Sequence, residues 1–440
     1  MIADALAADI TAGRLLPGDR LPPQRRFARR HGIAASTASR VYGELIKRGL
    51  AVGEVGRGTY VRAAQVPVQP ALADPGAAKV DLELNFPMPG EQSALLAESL
   101  RRMLRLGVLG ASLLPIGAAG TPRAREAAVT LLARGGWTPD SDQVLFAGNG
   151  RQAIAATIGA LVPVGDRLGV EALTYPVVKG IAARLGITLV PLPMDEDGVT
   201  VEGISAAHRT TPLRAVYLQP ALHNPLGTTM SAGRRADIGA TLRSLDIWAI
   251  EDAIYGFLRD DLPPFALLAP ERTVLVDSLS KRLAPGLSLG FTVPPAGLTE
   301  RVATALRSGA WTAQRFAVEA ATQWITDGTA ATIARAKRQD AVVRQLIVRE
   351  RLAEYTIHAD PHAFHCWWAL PDPWRADTFV AAAARRDIAI TPAAAFTVGS
   401  AHAPNAVRLA LASPGIDVLT SALDTLAALA RRAPDDLGPE

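Results

Sequence analysis

The chain has 440 residues, of which 49% are hydrophobic and 20% are charged, so it can bury the cores of more than one globular domain. No apolar run reaches the roughly 18 residues that a membrane helix needs, and the early acid Asp4 argues against a secretory signal. The single cysteine, Cys366, excludes an internal disulfide and a cysteine-rich zinc site. These features predict a cytoplasmic multidomain protein without a metal centre.

The formal net charge of +4 is unevenly distributed along the chain. Residues 1–62 carry 11 basic and 5 acidic side chains, a local charge of +6, which leaves −2 for the remainder. A small basic region attached to a nearly neutral body is typical of nucleic-acid binding. A solvated basic surface without a partner is the alternative.

Within the basic region, residue periodicity predicts three helices and a β-hairpin. The first helix covers residues 1–12, and a second helix follows from about residue 22 to residue 32. The third helix begins near residue 35 and ends at the stop signal Gly49. Two short β runs, at residues 50–52 and 59–61, are joined by a segment with three glycines, which is typical of a hairpin.

Several side chains of this region suit contact with DNA. Hydroxyl groups at the start of the third helix can reach base edges or phosphates in the major groove. Arginines of the second and third helices can hold phosphates, and an arginine between two hairpin glycines can enter the minor groove. The candidates are Arg25, Arg26, Ser36, Thr37, Ser39, Arg40 and Arg57. For Ser36 and Thr37, a plain helix N-cap is the alternative.

The order of three helices and a hairpin with a basic tip resembles the winged helix-turn-helix of the GntR regulators. The resemblance is carried by the residues 13–22, 36–45 and 56–61, the last of which reads Gly-Arg-Gly-Thr-Tyr-Val. It implies that the third helix and the wing bind double-stranded DNA. The family commonly has an arginine where this chain has Ala35, so we expect one DNA contact to be missing.

A proline-bearing stretch at residues 63–80 predicts a semi-rigid linker, after which helical stretches alternate with short apolar strands. That alternation predicts an α/β fold with a largely parallel sheet. A long helical region from about 310 to 355, followed by two strand-like runs, predicts a smaller α+β part. The predicted strands are 143–147, 167–170, 188–191, 215–218, 247–250, 273–276, 289–293, 365–370 and 406–411.

Two residues at predicted strand ends suggest an aldehyde cofactor. Lys281 follows an apolar strand, is preceded by Ser278 and Ser280, and is followed by Pro-Gly, which is a setting that presents an amine to an aldehyde. Asp252 ends a second apolar strand, where a carboxylate can hold a pyridinium nitrogen. Together they suggest pyridoxal 5′-phosphate bound to Lys281 as a Schiff base.

Residues 81–430 resemble the fold-type I pyridoxal-phosphate enzymes of the aspartate aminotransferase superfamily. In this resemblance the loop that opens a helix at residues 148–153 cradles the cofactor phosphate with backbone N–H groups. Tyr175 stacks on the ring, and Asn224 and Tyr255 bond its phenolic oxygen. The implied cofactor residues are Gly150, Arg151, Gln152, Tyr175, Asn224, Asp252, Tyr255, Ser278, Ser280, Lys281 and Arg282.

Two further positions bear on affinity. Arg408 matches the arginine that binds the substrate α-carboxylate in these enzymes, a role that suits a bidentate guanidinium; a surface arginine is the alternative. Ser288 stands where the family usually has an arginine that neutralises the phosphate. The loss of that contact, worth on the order of 1.5–3 kcal/mol, weakens cofactor affinity unless Arg282 or Arg151 compensates.

A winged helix joined through a linker to an aminotransferase-like body is the layout of the MocR subfamily of GntR regulators. The resemblance implies a DNA-binding domain at 1–62, a linker at 63–80 and a pyridoxal-phosphate-binding domain at 81–440. The large part of that domain extends to about residue 310, and the small part covers about 311–436.

This layout implies a homodimeric transcriptional regulator that binds a DNA operator and senses an amine or amino acid through an external aldimine at Lys281. Two alternatives remain open from the sequence. The chain is an active class I/II aminotransferase with an accessory DNA-binding domain, or its body has lost the cofactor and only dimerises the DNA-binding domain.

Overall fold

The computed structural model describes residues 2–11, 14–15, 19–47, 50–54, 58–61, 78–87, 90–103, 106–259, 261–399 and 403–434. The N-terminal unit has three helices and a three-stranded antiparallel sheet in which β3 lies between β1 and β2. Its elements are α1 (Ile2–Thr11), β1 (Arg20–Leu21), α2 (Gln24–Arg30), α3 (Ala35–Lys47), β2 (Ala51–Glu54) and β3 (Gly58–Val61). The helices and the hairpin match the prediction, and β1 is additional because two residues show no periodicity.

A small apolar core holds this N-terminal unit together. The rings of Phe27 on α2 and Tyr42 on α3 have centroids 5.2 Å apart, and Leu45 and Val61 are fully buried. The Tyr42 hydroxyl donates a hydrogen bond to the Pro22 carbonyl oxygen at 2.7 Å. Each fully buried side chain of this size contributes roughly 1.5–3 kcal/mol, so the core holds α3 against the turn that precedes α2.

The large part of the body is built on a seven-stranded sheet in the order β5-β13-β12-β11-β10-β6-β7. In this sheet β13 runs antiparallel to both neighbours and the other pairs are parallel, which confirms the largely parallel prediction. The elements are β4 (Val80–Asp81), α4 (Gln92–Met103), α5 (Leu106–Ser112), α6 (Pro122–Leu132), β5 (Leu145–Ala147), α7 (Gly150–Leu161), β6 (Arg167–Glu171), α8 (Pro176–Arg184), β7 (Thr188–Leu192), β8 (Met194–Asp195), β9 (Gly198–Val199), α9 (Val201–Thr210), β10 (Ala215–Leu218), α10 (Ala232–Ser244), β11 (Trp248–Asp252), α11 (Phe265–Leu268), β12 (Thr273–Ser278), α12 (Leu279–Arg282), β13 (Gly290–Val293) and α13 (Thr299–Ser308).

The small part is an α+β unit with a four-stranded sheet in the order β14-β15-β18-β17. Its elements are α14 (Arg315–Thr326), α15 (Thr329–Arg351), β14 (Thr356–His358), β15 (His365–Ala369), α16 (Ala376–Ala384), β16 (Ile388–Ala389), β17 (Thr391–Pro392), β18 (Ala406–Ala410) and α17 (Ile416–Ala430). The predicted long helical region is two helices, because Gly328 between them has a φ of +83°, which L side chains rarely adopt.

Parallel strands place functional residues at one edge of the large sheet. The carboxyl ends of β11 and β12 carry Asp252 and Ser278, and β5 leads into the amino end of α7. Ligands of open α/β sheets bind at this edge. No helix among the described ranges is long and apolar enough to cross a membrane.

A glycine keeps β13 close to the loop before α7. A Cβ atom at Gly290 would lie 2.3 Å from the Asn149 carbonyl oxygen, which is backbone and cannot turn away. We expect Gly290→Ala to destabilise the protein by about 1–3 kcal/mol because of this overlap and to move the loop at the start of α7.

Thermal denaturation followed by circular dichroism measures the effect. The exposed Gly297 is the matched control, because a Cβ atom there meets nothing within 4 Å. A melting temperature for Gly290→Ala equal to that of Gly297→Ala would contradict the expectation.

Candidate functional site

The edge of the large sheet borders a cavity of about 340 Å³. It lies where the strand ends of the large part meet β18 of the small part and residues 83–86. Most of the predicted cofactor residues line it, and the predicted carboxylate-binding Arg408 does too. Those cofactor residues are Gly150, Arg151, Tyr175, Asn224, Asp252, Tyr255, Ser278, Ser280 and Lys281.

Lys281 presents its amine to this cavity from α12, directly after β12. Its Nζ donates a hydrogen bond to the Asn85 carbonyl oxygen at 2.5 Å and lies 4.6 Å from the ring centroid of Phe86. Burial, helped by the positive charges of Arg408 and Arg151, lowers the pKa of Lys281 to about 7. An amine with this pKa is substantially neutral near pH 7, and the neutral amine is the nucleophile.

A second lysine, which sequence reasoning missed, holds the backbone around Lys281 by hydrogen bonds. Lys337 on α15 is fully buried, and its Nζ donates to the backbone oxygen of Lys281 at 2.9 Å and to that of Leu283. Burial lowers the pKa of Lys337 to about 7. Lys337 therefore holds the turn that carries Lys281, although 56 residues separate the two.

Asp252 is buried at the end of β11 and is held by two side chains of the neighbouring β10 region. Its Oδ2 accepts hydrogen bonds from the Tyr217 hydroxyl at 2.5 Å and from Gln219 Nε2 at 2.9 Å. Burial raises the pKa of Asp252 to about 6, against the effect of these hydrogen bonds. Sequence reasoning missed Tyr217 and Gln219; their polarity at alternating positions, at the end of an otherwise apolar strand, was the available signal.

The amino end of α7 offers an anion site beside the serines. Asn149 caps the helix, since its Oδ1 accepts a hydrogen bond from the backbone N–H of Gln152 at 2.9 Å. Gly150 approaches Ser278 so closely that a Cβ atom would lie 3.0 Å from the Ser278 Oγ. That Oγ is 2.7 Å from the Ser280 Oγ. Backbone N–H groups and two hydroxyls thus converge, as phosphate binding requires.

Two predicted cofactor residues do not line the cavity. The Gln152 side chain is directed back toward Gly148, whose missing Cβ leaves room for it, so Gln152 takes part through its backbone. The guanidinium of Arg282 is paired with Asp277 Oδ2 at 2.7 Å and stacked over the Phe257 ring at 5.2 Å. This ion pair occupies the guanidinium, and Arg282 does not line the cavity, so its predicted help at the phosphate stays a prediction.

Arg151 is the basic side chain that remains beside the α7 end of the cavity. It is exposed, and its positive charge opposes the rise in the pKa of Tyr175 that burial causes. Ser288, which replaces the usual arginine, also lines the cavity, and its Oγ is buried without a hydrogen-bond partner in the described chain. An unpaired buried hydroxyl requires an acceptor or donor, and a phosphate oxygen would satisfy it.

Arg408 lies on β18 and is buried, with 5% of its surface exposed, which excludes the surface alternative. Its Nη2 donates to the Glu83 carbonyl oxygen at 2.5 Å and to Thr391 Oγ1 at 2.8 Å. Its Nη1 lies 3.5 Å from Asn224 Oδ1, and the guanidinium stands over the Phe396 ring at 5.3 Å. The guanidinium of Arg408 is therefore held at the rim of the cavity, between β18 and residue 83.

Residues 78–87, which we call the connecting segment, lie across this rim. One edge of the segment receives hydrogen bonds from both Lys281 and Arg408. Its other edge is tied to the small part, where the Ala410 N–H donates to the Leu82 carbonyl oxygen at 2.7 Å and the Ala412 N–H donates to Asn85 Oδ1 at 3.3 Å. Asn85 Nδ2 also lies 3.5 Å from the Tyr255 hydroxyl.

The predicted DNA-contacting residues lie on α2 and α3. Arg25, Arg26, Ser36, Ser39 and Arg40 are exposed and Thr37 is half-buried. Ser36 and Thr37 stand inside α3, which begins at residue 35, so neither is its N-cap. The remaining predicted contact, Arg57, lies outside the described residues.

Comparison with known proteins assigns both parts of the chain. The family model described as "Bacterial regulatory proteins, gntR family" matches residues 1–61, and the model "Aminotransferase class I and II" matches residues 79–426. The helix-turn-helix transcriptional regulator YdeF of Bacillus subtilis (strain 168) is 30% identical over 97% of this chain and 94% of its own length. The chain is a GntR-type regulator of the MocR layout.

Two further comparisons agree with this assignment. The vitamin B6 salvage pathway transcriptional repressor PtsJ of Salmonella typhimurium is 26% identical to this regulator over 70% of each chain. The crystal structure of Pyrococcus horikoshii kynurenine aminotransferase superposes on the regulator with a TM-score of 0.75 at 22% identity, covering 86% of this chain and 96% of that one. This second likeness establishes the fold.

Pyridoxal 5′-phosphate is the cofactor of this domain family, and the cavity of the regulator fits it chemically. Lys281 offers an amine to the aldehyde, and buried Asp252 offers a carboxylate to the ring nitrogen. Ser278, Ser280 and the unpaired Ser288 hydroxyl offer polar contacts to the phosphate. The third alternative from the sequence, a body that has lost its cofactor, has no support in this geometry.

The low pKa of Lys281 predicts how cofactor uptake depends on pH. Because the neutral amine reacts, and because burial lowers the pKa from 10.5 to about 7, the rate of covalent attachment of pyridoxal phosphate rises through about pH 7 and then levels. Stopped-flow absorbance of the apo protein between pH 5.5 and 9.5 measures this rate. Nα-acetyl-lysine is the control, and its rate keeps rising toward its own pKa. A protein profile that rises in parallel with the control would refute the shifted pKa.

The exposed arginines of α2 and α3 predict salt-dependent DNA binding. We expect Arg25→Ala and Arg40→Ala each to weaken operator binding and to reduce the slope of log K against log salt by roughly 0.9, the effect of one lost phosphate contact. Fluorescence anisotropy over a salt series measures both quantities. Arg209→Ala, an exposed change on α9 of the body, is the control, and a variant slope equal to its slope would count against these contacts.

Proposed function

We propose that this regulator binds operator DNA through its winged helix and changes that binding when an amine or amino acid enters the C-terminal cavity. The observation that carries the proposal is that two cavity side chains hydrogen-bond the same stretch of backbone. Lys281, which would hold the cofactor, and Arg408, which would bind a ligand carboxylate, both donate to carbonyl oxygens of the connecting segment, each at 2.5 Å. The connecting segment begins within the last three residues of the predicted linker to the DNA-binding domain.

When bound, pyridoxal phosphate supplies an aldehyde carbon that reacts with amines and a ring that withdraws electrons. The residues of the regulator would divide the work of holding it. Lys281 holds the aldehyde end, Asp252 the ring nitrogen, and the amino end of α7 the phosphate. Arg408 remains available for a ligand carboxylate, since it pairs with no carboxylate side chain in the described part of the chain.

The amine of a ligand would replace Lys281 at the cofactor aldehyde and release the lysine amine, while the ligand carboxylate would draw Arg408 from Glu83. Each hydrogen bond to a charged group contributes roughly 1.5–3 kcal/mol, so a change at Asn85 or Glu83 alters how the connecting segment is held. Coupling energies between sites are typically 1–3 kcal/mol. The exchange is therefore large enough to alter the restraint on the linker and the DNA affinity of the attached domain.

We further propose that the regulator acts as a homodimer in the cytoplasm, where its operator DNA lies. Leu113 and Leu114, next to α5, are 78% and 59% exposed, and Phe316 on α14 is 45% exposed. Apolar side chains exposed to this degree favour coverage by another surface. A second copy related by two-fold symmetry would cover them and present two DNA-binding domains to two half-sites.

The coupling predicts that two single changes abolish the ligand response while leaving DNA binding intact. We expect an effective amino acid to shift operator affinity of the wild-type protein at least about fivefold, the lower end of typical coupling. Lys281→Ala and Arg408→Lys should show no such shift, because the first removes the residue that would hold the cofactor and the second removes the bidentate group that would bind the ligand carboxylate. Anisotropy titrations with and without a panel of amino acids measure this. Arg123→Ala, an exposed change on α6, should respond like the wild type, and an unchanged response in Lys281→Ala would overturn the proposal.

Genuine aminotransferase activity is the second candidate, and one observation favours it. The cavity combines a lysine whose pKa is lowered to about 7, which could accept a proton from a bound amine, with a buried carboxylate that could pair with the ring nitrogen. Production of 2-oxo acid over many turnovers, lost in Lys281→Ala, would establish turnover. A spectral change limited to one equivalent would leave sensing as the function.

A further inference from the structure

Each charged side chain that lines the cavity, except one, has a partner in the protein, the cofactor or the proposed ligand. The described lining includes three basic and three acidic side chains, Arg151, Lys281, Arg408, Glu83, Asp252 and Asp277. The cofactor and its ligand account for the basic residues, through the phosphate, the aldehyde and a ligand carboxylate. Asp277 accepts hydrogen bonds from Arg282 and from the backbone N–H of Ser278 at 2.7 and 2.6 Å.

Asp252 is also accounted for, since Tyr217 and Gln219 hold it for the ring nitrogen. Glu83 is different, because its carboxylate accepts no hydrogen bond from any residue in the described ranges, although its backbone is tightly held. Its N–H donates to Asp81 Oδ1 at 2.8 Å, and its carbonyl oxygen accepts from Arg408 at 2.5 Å.

Glu83 lines the cavity beside Arg408, the predicted carboxylate-binding residue. Glu83 is half-buried, and burial together with the negative charge of Asp81 raises its pKa, whereas Arg408 lowers it. A carboxylate that is partly desolvated beside another acid is stabilised by a cation. Arg408 provides only part of that stabilisation when its fork is directed at a ligand carboxylate.

We propose that Glu83 determines ligand specificity by pairing with a second cationic group, so that the cavity selects α-amino acids with a basic side chain over neutral and acidic ones. The inference rests on the proposed function and extends it to a ligand class. The α-amine meets the cofactor, the carboxylate meets Arg408, and the side-chain ammonium meets Glu83. An acidic side chain in the same place faces Glu83 and is repelled.

Three amino acids with five carbons isolate the side-chain charge. Ornithine, norvaline and glutamate end in an ammonium, a methyl and a carboxylate group. Visible absorbance and calorimetry of the full-length protein loaded with pyridoxal phosphate give apparent dissociation constants for each. We expect the wild type to bind ornithine about tenfold or more tightly than norvaline, and glutamate more weakly than norvaline. Putrescine, which lacks the carboxylate, should bind more weakly than ornithine because Arg408 then has no ligand group.

Glu83→Gln is the decisive variant, because it removes the charge and keeps the backbone carbonyl that Arg408 uses. We expect it to abolish the preference for ornithine while changing norvaline affinity by less than about twofold. Glu196→Gln, an exposed change in the turn after β8, should keep the full preference. Equal cofactor absorbance and melting temperature in both variants show that the fold is intact.

The outcomes separate the two proposals. Equal affinity of the wild type for ornithine and norvaline, or a preference that persists in Glu83→Gln, would overturn the role of Glu83 and leave the sensor function standing. Tighter binding of putrescine than of ornithine would reject an amino-acid ligand in favour of a diamine. If no ligand changes either signal, both the ligand class and the proposed sensing are wrong.

Discussion

The parallel register of β11 and β12 is the constraint on which the site depends. Asp252 stands opposite Val276 in this pairing, so the carboxylate ends its strand close to where Ser278 ends the next one and α12 begins. Both strands are buried, and a slip of one residue would turn every side chain to the opposite face and disrupt its packing. The ring-nitrogen partner and the reactive amine are therefore positioned by backbone pairing rather than by flexible side chains.

A second level of organisation comes from contacts across the cavity rim. Within the connecting segment, the regular β pairing is the short one between β4 and β16. The segment is held mainly by hydrogen bonds from residues elsewhere in the chain. Lys281 and Arg408 supply hydrogen bonds on one side, and Ala410 and Ala412 on the other. Lys281 and Arg408 thus line the cavity and also hold the connecting segment by hydrogen bonds. A change in what these two side chains bind would therefore change how the segment is held.

Electrostatics underlies both the reactivity of the cavity and the ligand selectivity that we propose. Burial lowers the pKa of Lys281 and of Lys337 to about 7 and raises the pKa of Asp252 to about 6. These shifts bring amines and carboxylate near the ionisation states in which they exchange protons at neutral pH. Glu83 adds a negative charge that no group of the cofactor requires, and this charge is the basis for proposing a ligand with a cationic side chain.

The sequence by itself determined the two-part architecture, the parallel sheet and the local groups of the site, because helix and strand periods and strand-end motifs are properties of short stretches. Only the tertiary structure decided the partnerships between distant stretches. Tyr217 and Gln219 reach Asp252, Lys337 supports Lys281, and Asp277 pairs with Arg282. Each partnership depends on packing between segments tens of residues apart, or on competition between two partners for one charge, and neither has a local signature in the chain.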